Sequence, residues 1–203
     1  MPRLLALFCC IVICASVPGA QNVLAQQADI ERPLILVANP DLKTPLYRES
    51  VILVAPHLVN GSMGHIGVML NRPTTASMTS LFPDDESSKN VLEPVFYGGP
   101  YRRHAITALV PAKDAPDQKA VFVAPGLYLT PFAETIDAVI KSAPNSARYY
   151  AGITVWLPRE LESELRRGLW FTTETKDETI FSKDAAGLWD KLIQPLLQKR
   201  DAI

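Results

Sequence analysis

Three features of this 203-residue sequence predict a single α+β domain. Short apolar runs come first, Pro33–Ala38 and Val51–Ala55, and their unbroken apolarity reads as strands buried on both faces of a sheet. Phe132, Ile136, Val139 and Ile140 fall at i, i+4, i+7 and i+8, the spacing of one buried helix face. The order of elements is strands, then helix, strand, helix, hairpin and helix, without the regular βαβ alternation of a doubly wound sheet.

Length and composition agree with one folded unit. A chain of this size buries a core without staples, and 48% hydrophobic against 20% charged residues excludes a disordered polymer. A formal charge of −1 gives no protein-wide nucleic-acid footprint.

The N-terminus reads as a leader. Arg3 precedes the apolar stretch Leu4–Val17, and Val23-Leu24-Ala25 supplies a cleavage site before Gln26. The apolar stretch is shorter than a membrane-spanning helix needs, so a retained anchor is the alternative. Residues 1–25 are therefore assigned to a signal peptide, 26–32 to a linker and 33–203 to the domain. Cys9, Cys10 and Cys14 all lie in the leader, so the mature chain has no disulfide or thiolate chemistry. The expected location is periplasmic or secreted.

Along the domain, Gly61–Pro73 (GSMGHIGVMLNRP) reads as a glycine turn feeding a buried strand that stops at Asn71-Arg72-Pro73. One or two helical turns within Thr74–Phe82 lead to a solvated acidic loop at Asp84-Asp85-Glu86. Strands follow at Val95–Tyr97 and Ile106–Val110, then a bend of two arms around Pro125-Gly126. Thr130-Pro131 supplies a hydroxyl N-cap and a proline at N1 for the first long helix. Tyr149–Trp156 is a β-branched and aromatic strand, and Pro158 opens a helix that Gly168 caps. Leu169–Thr173 and Thr179–Phe181 are expected to pair as a hairpin across Lys176-Asp177-Glu178. A last helix starts near Asp184, with Leu188, Trp189, Leu192 and Ile193 facing inward and Pro195 kinking or stopping it.

Five fragments in order then carry a resemblance: the segment from Pro40 through Tyr47 to Ser50-Val51-Ile52; Gly67–Pro73, ending in NRP; Pro94–Pro100 (PVFYGGP); Gly126–Thr130 (GLYLT); and Gly152–Glu164, which keeps Gly152, Trp156, Pro158, Leu161, Glu162 and Glu164 of a thirteen-residue pattern. Together they resemble the YqgE/AlgH family, bacterial proteins without an established biochemical activity, from about Leu34 to Trp189. The resemblance implies a mixed, bifurcated, partly barrel-like sheet surrounded by helices. It marks Gly67, Asn71, Arg72, Pro73, Gly98, Gly99, Pro100, Gly126, Thr130, Gly152, Trp156 and Pro158 as structural motif residues. The chain departs from the pattern in four places. His65-Ile66 are two extra residues placed in the glycine turn, Val155 and Arg159 replace glycines, Glu160 replaces glutamine, and Arg102-Arg103-His104 stands where the family has a longer segment.

Chemistry-bearing residues are few. His57, His65 and His104 are the only histidines, too few without cysteine to predict a metal centre. Asn60-Gly61-Ser62-Met63-Gly64 lacks the first glycine of a nucleophile elbow, and no glycine pattern matches a phosphate loop. Arg72, at the end of a buried strand, must find a partner or reach water. The residues to watch are His57, His65 and Arg72, with Arg102-Arg103 a solvated turn or anion contact. No catalytic residue, metal or cofactor is assigned. The first expectation is a non-enzymatic binding or accessory protein of the cell envelope, partner unknown. The second is an intracellular regulator, as proposed for some members of the resembled family, and the third a cleft enzyme using histidine or carboxylates.

Overall fold

The computed structural model describes residues 30–201; the leader and its cysteines lie outside the described residues. Nine strands are β1 (Leu34–Ala38), β2 (Val51–Val59), β3 (Ser62–Met69), β4 (Phe96–Tyr97), β5 (Tyr101–Pro111), β6 (Val121–Ala124), β7 (Leu127–Thr130), β8 (Arg148–Trp156) and β9 (Trp170–Thr173). The helices are α1 (Met78–Leu81), α2 (Ala133–Ser142), α3 (Glu160–Arg166), α4 (Asp177–Ile180) and α5 (Leu188–Asp201), with a 3₁₀ turn at Glu86–Asn90. The fold is α+β, as the order of elements predicts.

One sheet runs β6-β7-β5-β8-β3-β2-β1-β9, and β4 branches from it as a parallel partner of β8; the other pairings are antiparallel. β8 makes the bifurcation. Its first half, Arg148–Ala151, pairs with β5 and β4, and its last residues, Thr154–Trp156, pair with β3. Gly98 and Gly152 allow this crossing, because a Cβ on Gly98 would sit 2.1 Å from the Gly152 carbonyl oxygen, and Gly152 itself has φ +73°. The sheet is curved but open, not closed into a barrel. β6 packs against β2 without pairing with it, and β6 and β9 remain edges.

Three clusters form the core. The concave face buries Val51, Leu53, Val68, Leu70 and Leu109 against Val123 of β6, Leu127 and Leu129 of β7, and Leu188 and Ile193 of α5. The convex face packs Leu36, Ile52, Met69, Trp156 and Trp170 against α3 and Ile30. A third cluster sets Ala108, Val110 and Tyr149 against α1 and α2. β1 and the first half of β2 are buried on both faces, which explains their unbroken apolarity.

Four local expectations are corrected. The β2–β3 turn is Asn60-Gly61, both at positive φ (51° and 77°), the geometry of a tight hairpin. His65 and Ile66 lie inside β3, opposite Pro56 and Ala55, so they lengthen the hairpin and leave the turn alone. Gly64 and Gly67 also sit in the strand, where a Cβ would press on the carbonyls of Trp156 and Leu53. Thr130 belongs to β7, so Phe132 takes the N-cap position of α2 without a side-chain cap.

The expected hairpin at 169–181 does not form. β9 finds its partner in β1, while Asp177 and Glu178 occupy the first turn of α4, where acidic side chains complement a helix N-terminus. Arg148, 2% exposed, anchors that region by donating to the carbonyls of Ile180 and Ser182 and pairing with Glu93 at 2.9 and 3.0 Å. Pro195 lies within α5 and does not stop it. Leu188 and Ile193 are packed on the core and Trp189 donates to the Ala38 carbonyl at 2.8 Å, so tertiary contacts override the one lost backbone bond.

Candidate functional site: an apolar groove with a basic wall

Strand alternation carries the concave core out to the open end of the sheet. Beyond Val51, Leu53 and Ala55, the same face of β2 presents His57 and Val59. There they meet Ile66 of β3, Ala105 and Thr107 of β5, Val121 of β6, Leu129 of β7, and Ile153 and Val155 of β8. Together they line a groove of about 790 Å³. Leu58, Tyr101 and Leu157 stand at it with 62%, 51% and 51% of their surface exposed. Apolar side chains left open at a cavity, rather than scattered singly, mark a contact surface.

The long β2–β3 hairpin makes one wall, and the two residues that the resemblance treats as extra lengthen it. A two-residue addition keeps every side chain on its face, because the strand period is two. Ile66 therefore lines the groove while His65 stays on the opposite face.

The charged groups are held in place. Asp117 Oδ2 accepts from the hydroxyls of Thr130 at 2.7 Å and Thr135 at 2.8 Å, and its Oδ1 accepts from the Lys119 amide at 2.8 Å. Burial pushes the Asp117 carboxyl up, but these hydrogen bonds outweigh it and hold the group below its ordinary value. The loop so fixed brings Gln118 and Lys119 to the groove, with Lys119 Nζ 4.9 Å from the centre of the Phe132 ring. Opposite the β8 pairing, β5 breaks register between Tyr101 and Ile106. Arg102 sits in that break at φ 50°, its guanidinium 5.8 Å from the Tyr101 ring centre. Among the described residues Glu160 is the one acidic residue lining the groove, and its carboxylate accepts from the Leu157 amide at 2.8 Å.

The residues singled out from sequence are dispersed. His57 lines the groove, and His104 is exposed on β5 away from its lining. His65 is 8% exposed on the convex face, where Nε2 donates to the Ile30 carbonyl at 2.8 Å. Burial lowers its pKa from the ordinary value, against the opposing pull of that bond and of Glu162. Arg72 donates to the Arg48 carbonyl, and burial lowers its pKa.

Part of the motif set meets at the crossing, where Gly98 and Gly99 lie against Gly152. Asn71 accepts from the Val51 amide at 2.9 Å and donates to the Glu49 carbonyl at 2.8 Å, while Pro73 bridges to Phe96. The Gly98 carbonyl accepts from the Met69 amide at 3.1 Å and the Thr154 hydroxyl at 3.3 Å. Gly99 and Pro100 continue that turn into β5, and Gly126 makes the β6–β7 turn at φ 71°. Pro158 is exposed just before α3. Ser62 opens β3 directly after the hairpin turn, with no strand-to-helix elbow beneath it. Among the described residues no three His, Cys, Asp or Glu side chains gather as a metal site, and no helix is long and apolar enough to cross a membrane.

Lys119, Asp117, Tyr101, Leu58 and Leu157 went unnoticed in the sequence. The available signal was the alternation of β2 and β8 continuing past the buried core, together with Val155 where the resembled pattern has glycine.

The architecture and its groove define a class: a mixed α+β domain organised on a bifurcated open sheet, with a cavity at the sheet's open end. The chain belongs to the AlgH-like family, whose sequence model matches residues 35–199. A UPF0301 protein of Mycobacterium tuberculosis is 29% identical over 187 residues, covering 88% of this chain and 86% of that one. A UPF0301 protein of Chlamydia muridarum is 29% identical over 171 residues, covering 82% and 87%. Among solved structures, protein DIP2367 of Corynebacterium diphtheriae superposes with a TM-score of 0.65 at 19% identity, covering 81% of this chain and 86% of that one. The solution structure of AlgH from Pseudomonas aeruginosa gives 0.61 at 19% identity, covering 82% and 92%. These two likenesses establish the fold.

Proposed function

We propose that the protein is an exported binding or accessory protein of the cell envelope that works through its groove. The observation carrying the binding part is a preformed cavity of about 790 Å³ lined mainly by aliphatic side chains, with Arg102, Lys119 and Glu160 among its polar groups. Export is argued from the sequence alone: Arg3, the apolar stretch Leu4–Val17 and the cleavage site at Val23-Leu24-Ala25.

Two measurements test the two halves. Fractionation with N-terminal sequencing is expected to find a chain beginning at Gln26 in the periplasm or medium. An intact Met1 in the cytoplasm overturns export and favours the intracellular regulator; an intact Met1 in the membrane fraction indicates a retained anchor. For the groove, a neutral apolar fluorophore such as phenylnaphthylamine should brighten on the wild-type chain and not on Ala105→Trp, which fills the cavity from an exposed position. Equal brightening of both would remove the groove as the working surface.

A further inference from the structure

We propose that the groove takes a straight-chain carboxylic acid, its alkyl chain along Ile66, Leu129, Ile153 and Val155 and its carboxylate at Arg102 and Lys119. The inference rests on the reading of the groove as a binding site and names its ligand class. Four of the floor positions are branched aliphatic side chains and none is aromatic; the lining's one aromatic residue, Tyr101, stands with its ring beneath Arg102. Such a floor offers no stacking platform for a base or a flavin, but it matches an alkyl chain. The volume lies within the range of small-molecule sites.

The lining is basic although the whole chain carries a charge of −1. Arg102 and Lys119 line it from different elements, and His57 adds a third nitrogen base. Glu160 is the opposing charge, its Oε2 accepting from the Leu157 amide, so Arg102 and Lys119 against Glu160 leave the lining with one net positive charge. An anionic head beside an apolar tail is the ligand that satisfies both parts.

The test is displacement of phenylnaphthylamine from the purified full chain by octanoate, decanoate and dodecanoate, each set against its matching alcohol. Each added methylene should tighten binding by about fourfold, the equivalent of about 0.8 kcal/mol. Each acid should bind at least about tenfold tighter than its alcohol, as a charge-assisted contact requires. Arg102→Gln combined with Lys119→Gln should erase that preference, bringing each acid to no tighter than its alcohol, and Ala105→Trp should abolish displacement by acids and alcohols alike. Both glutamine positions are on the surface, so the fold is not at risk.

Equal affinity for acid and alcohol, or a preference that survives the double variant, overturns the inference while fluorophore binding keeps the groove as a site. Displacement by an acidic peptide and not by any of the acids also overturns it. If the fluorophore itself ignores Ala105→Trp, the reading beneath the inference falls as well.

Discussion

Trp156 and Trp170 donate their indole N–H groups to the same oxygen, Oε2 of Glu164, at 2.8 and 2.7 Å. Their rings meet edge to face, with centroids 6.5 Å apart at 79°. One carboxylate on α3 thus satisfies the polar atoms of two core aromatics, one on β8 and one on β9, on the convex face opposite the groove.

Glu164→Leu leaves both indoles unpartnered and should cost about 2–4 kcal/mol of folding stability, since each orphaned buried donor costs roughly 1–3 kcal/mol. Glu164→Gln keeps one oxygen able to accept from both indoles and should lose less than half as much. Urea unfolding followed by tryptophan fluorescence separates the two; equal losses would mean that the shared bond contributes nothing.

His65 sets a pH dependence with a definite sign. Its folded pKa is lowered below the ordinary 6.5 by burial, so the unfolded chain binds the extra proton first. The contribution of neutral His65 is complete above 6.5 and is lost as pH falls from there towards the folded pKa. Melting temperature measured between neutral and mildly acidic pH should therefore fall further for the wild type than for His65→Gln. Parallel curves would show that His65 does not titrate on unfolding.

Gly98→Ala should unfold the domain or cost more than about 3 kcal/mol, because its Cβ would sit 2.1 Å from a backbone carbonyl that cannot yield. Gly168→Ala, with open space around it, should cost only the strain of its left-handed backbone, about 1–2 kcal/mol. Circular dichroism melts compare them; similar losses would deny the crowding at the bifurcation.

Arg159 holds φ 67° at the start of α3, where the resembled pattern has glycine. Arg159→Gly relieves about 1–2 kcal/mol of left-handed strain and returns some of it as unfolded-chain entropy, for a net gain of up to about 1 kcal/mol. A lower melting temperature for the variant would show that the arginine side chain compensates its own strain.

Asp117 organises the groove's basic wall at a distance from any ligand. Its depressed pKa means that its stabilisation is present above the unfolded value of 3.8 and is lost as pH falls through the lower folded value. Asp117→Ala should lower the melting temperature at neutral pH and lose that deficit in strong acid. A deficit that persists in strong acid would mean the hydrogen bonds to Thr130 and Thr135 are not what the carboxylate contributes.

Much of the fold is legible in the amino-acid sequence. Unbroken apolarity at 34–38 and 51–55 marked strands buried on both faces, and the 3.6-residue spacing from Phe132 to Ile140 marked α2, because both patterns are local consequences of burial. The failures share one cause. Trp170–Thr173 was strand-like, but whether it paired with a nearby segment or with β1 depended on which edge the tertiary structure left open. Pro195 broke a local rule that packing of Leu188 and Ile193 overrode. The groove was illegible for the same reason, since its residues come from β2, β3, β5, β6, β7 and β8 and converge only when the sheet curves. The amino-acid order alone determined the family, the α+β class and the strand faces, all set by spacing and by motifs. Only the tertiary structure decided that the concave face stays open at one end, with aliphatic side chains, Arg102 and Lys119 in one lining, because that opening exists where the curved sheet stops short of closing.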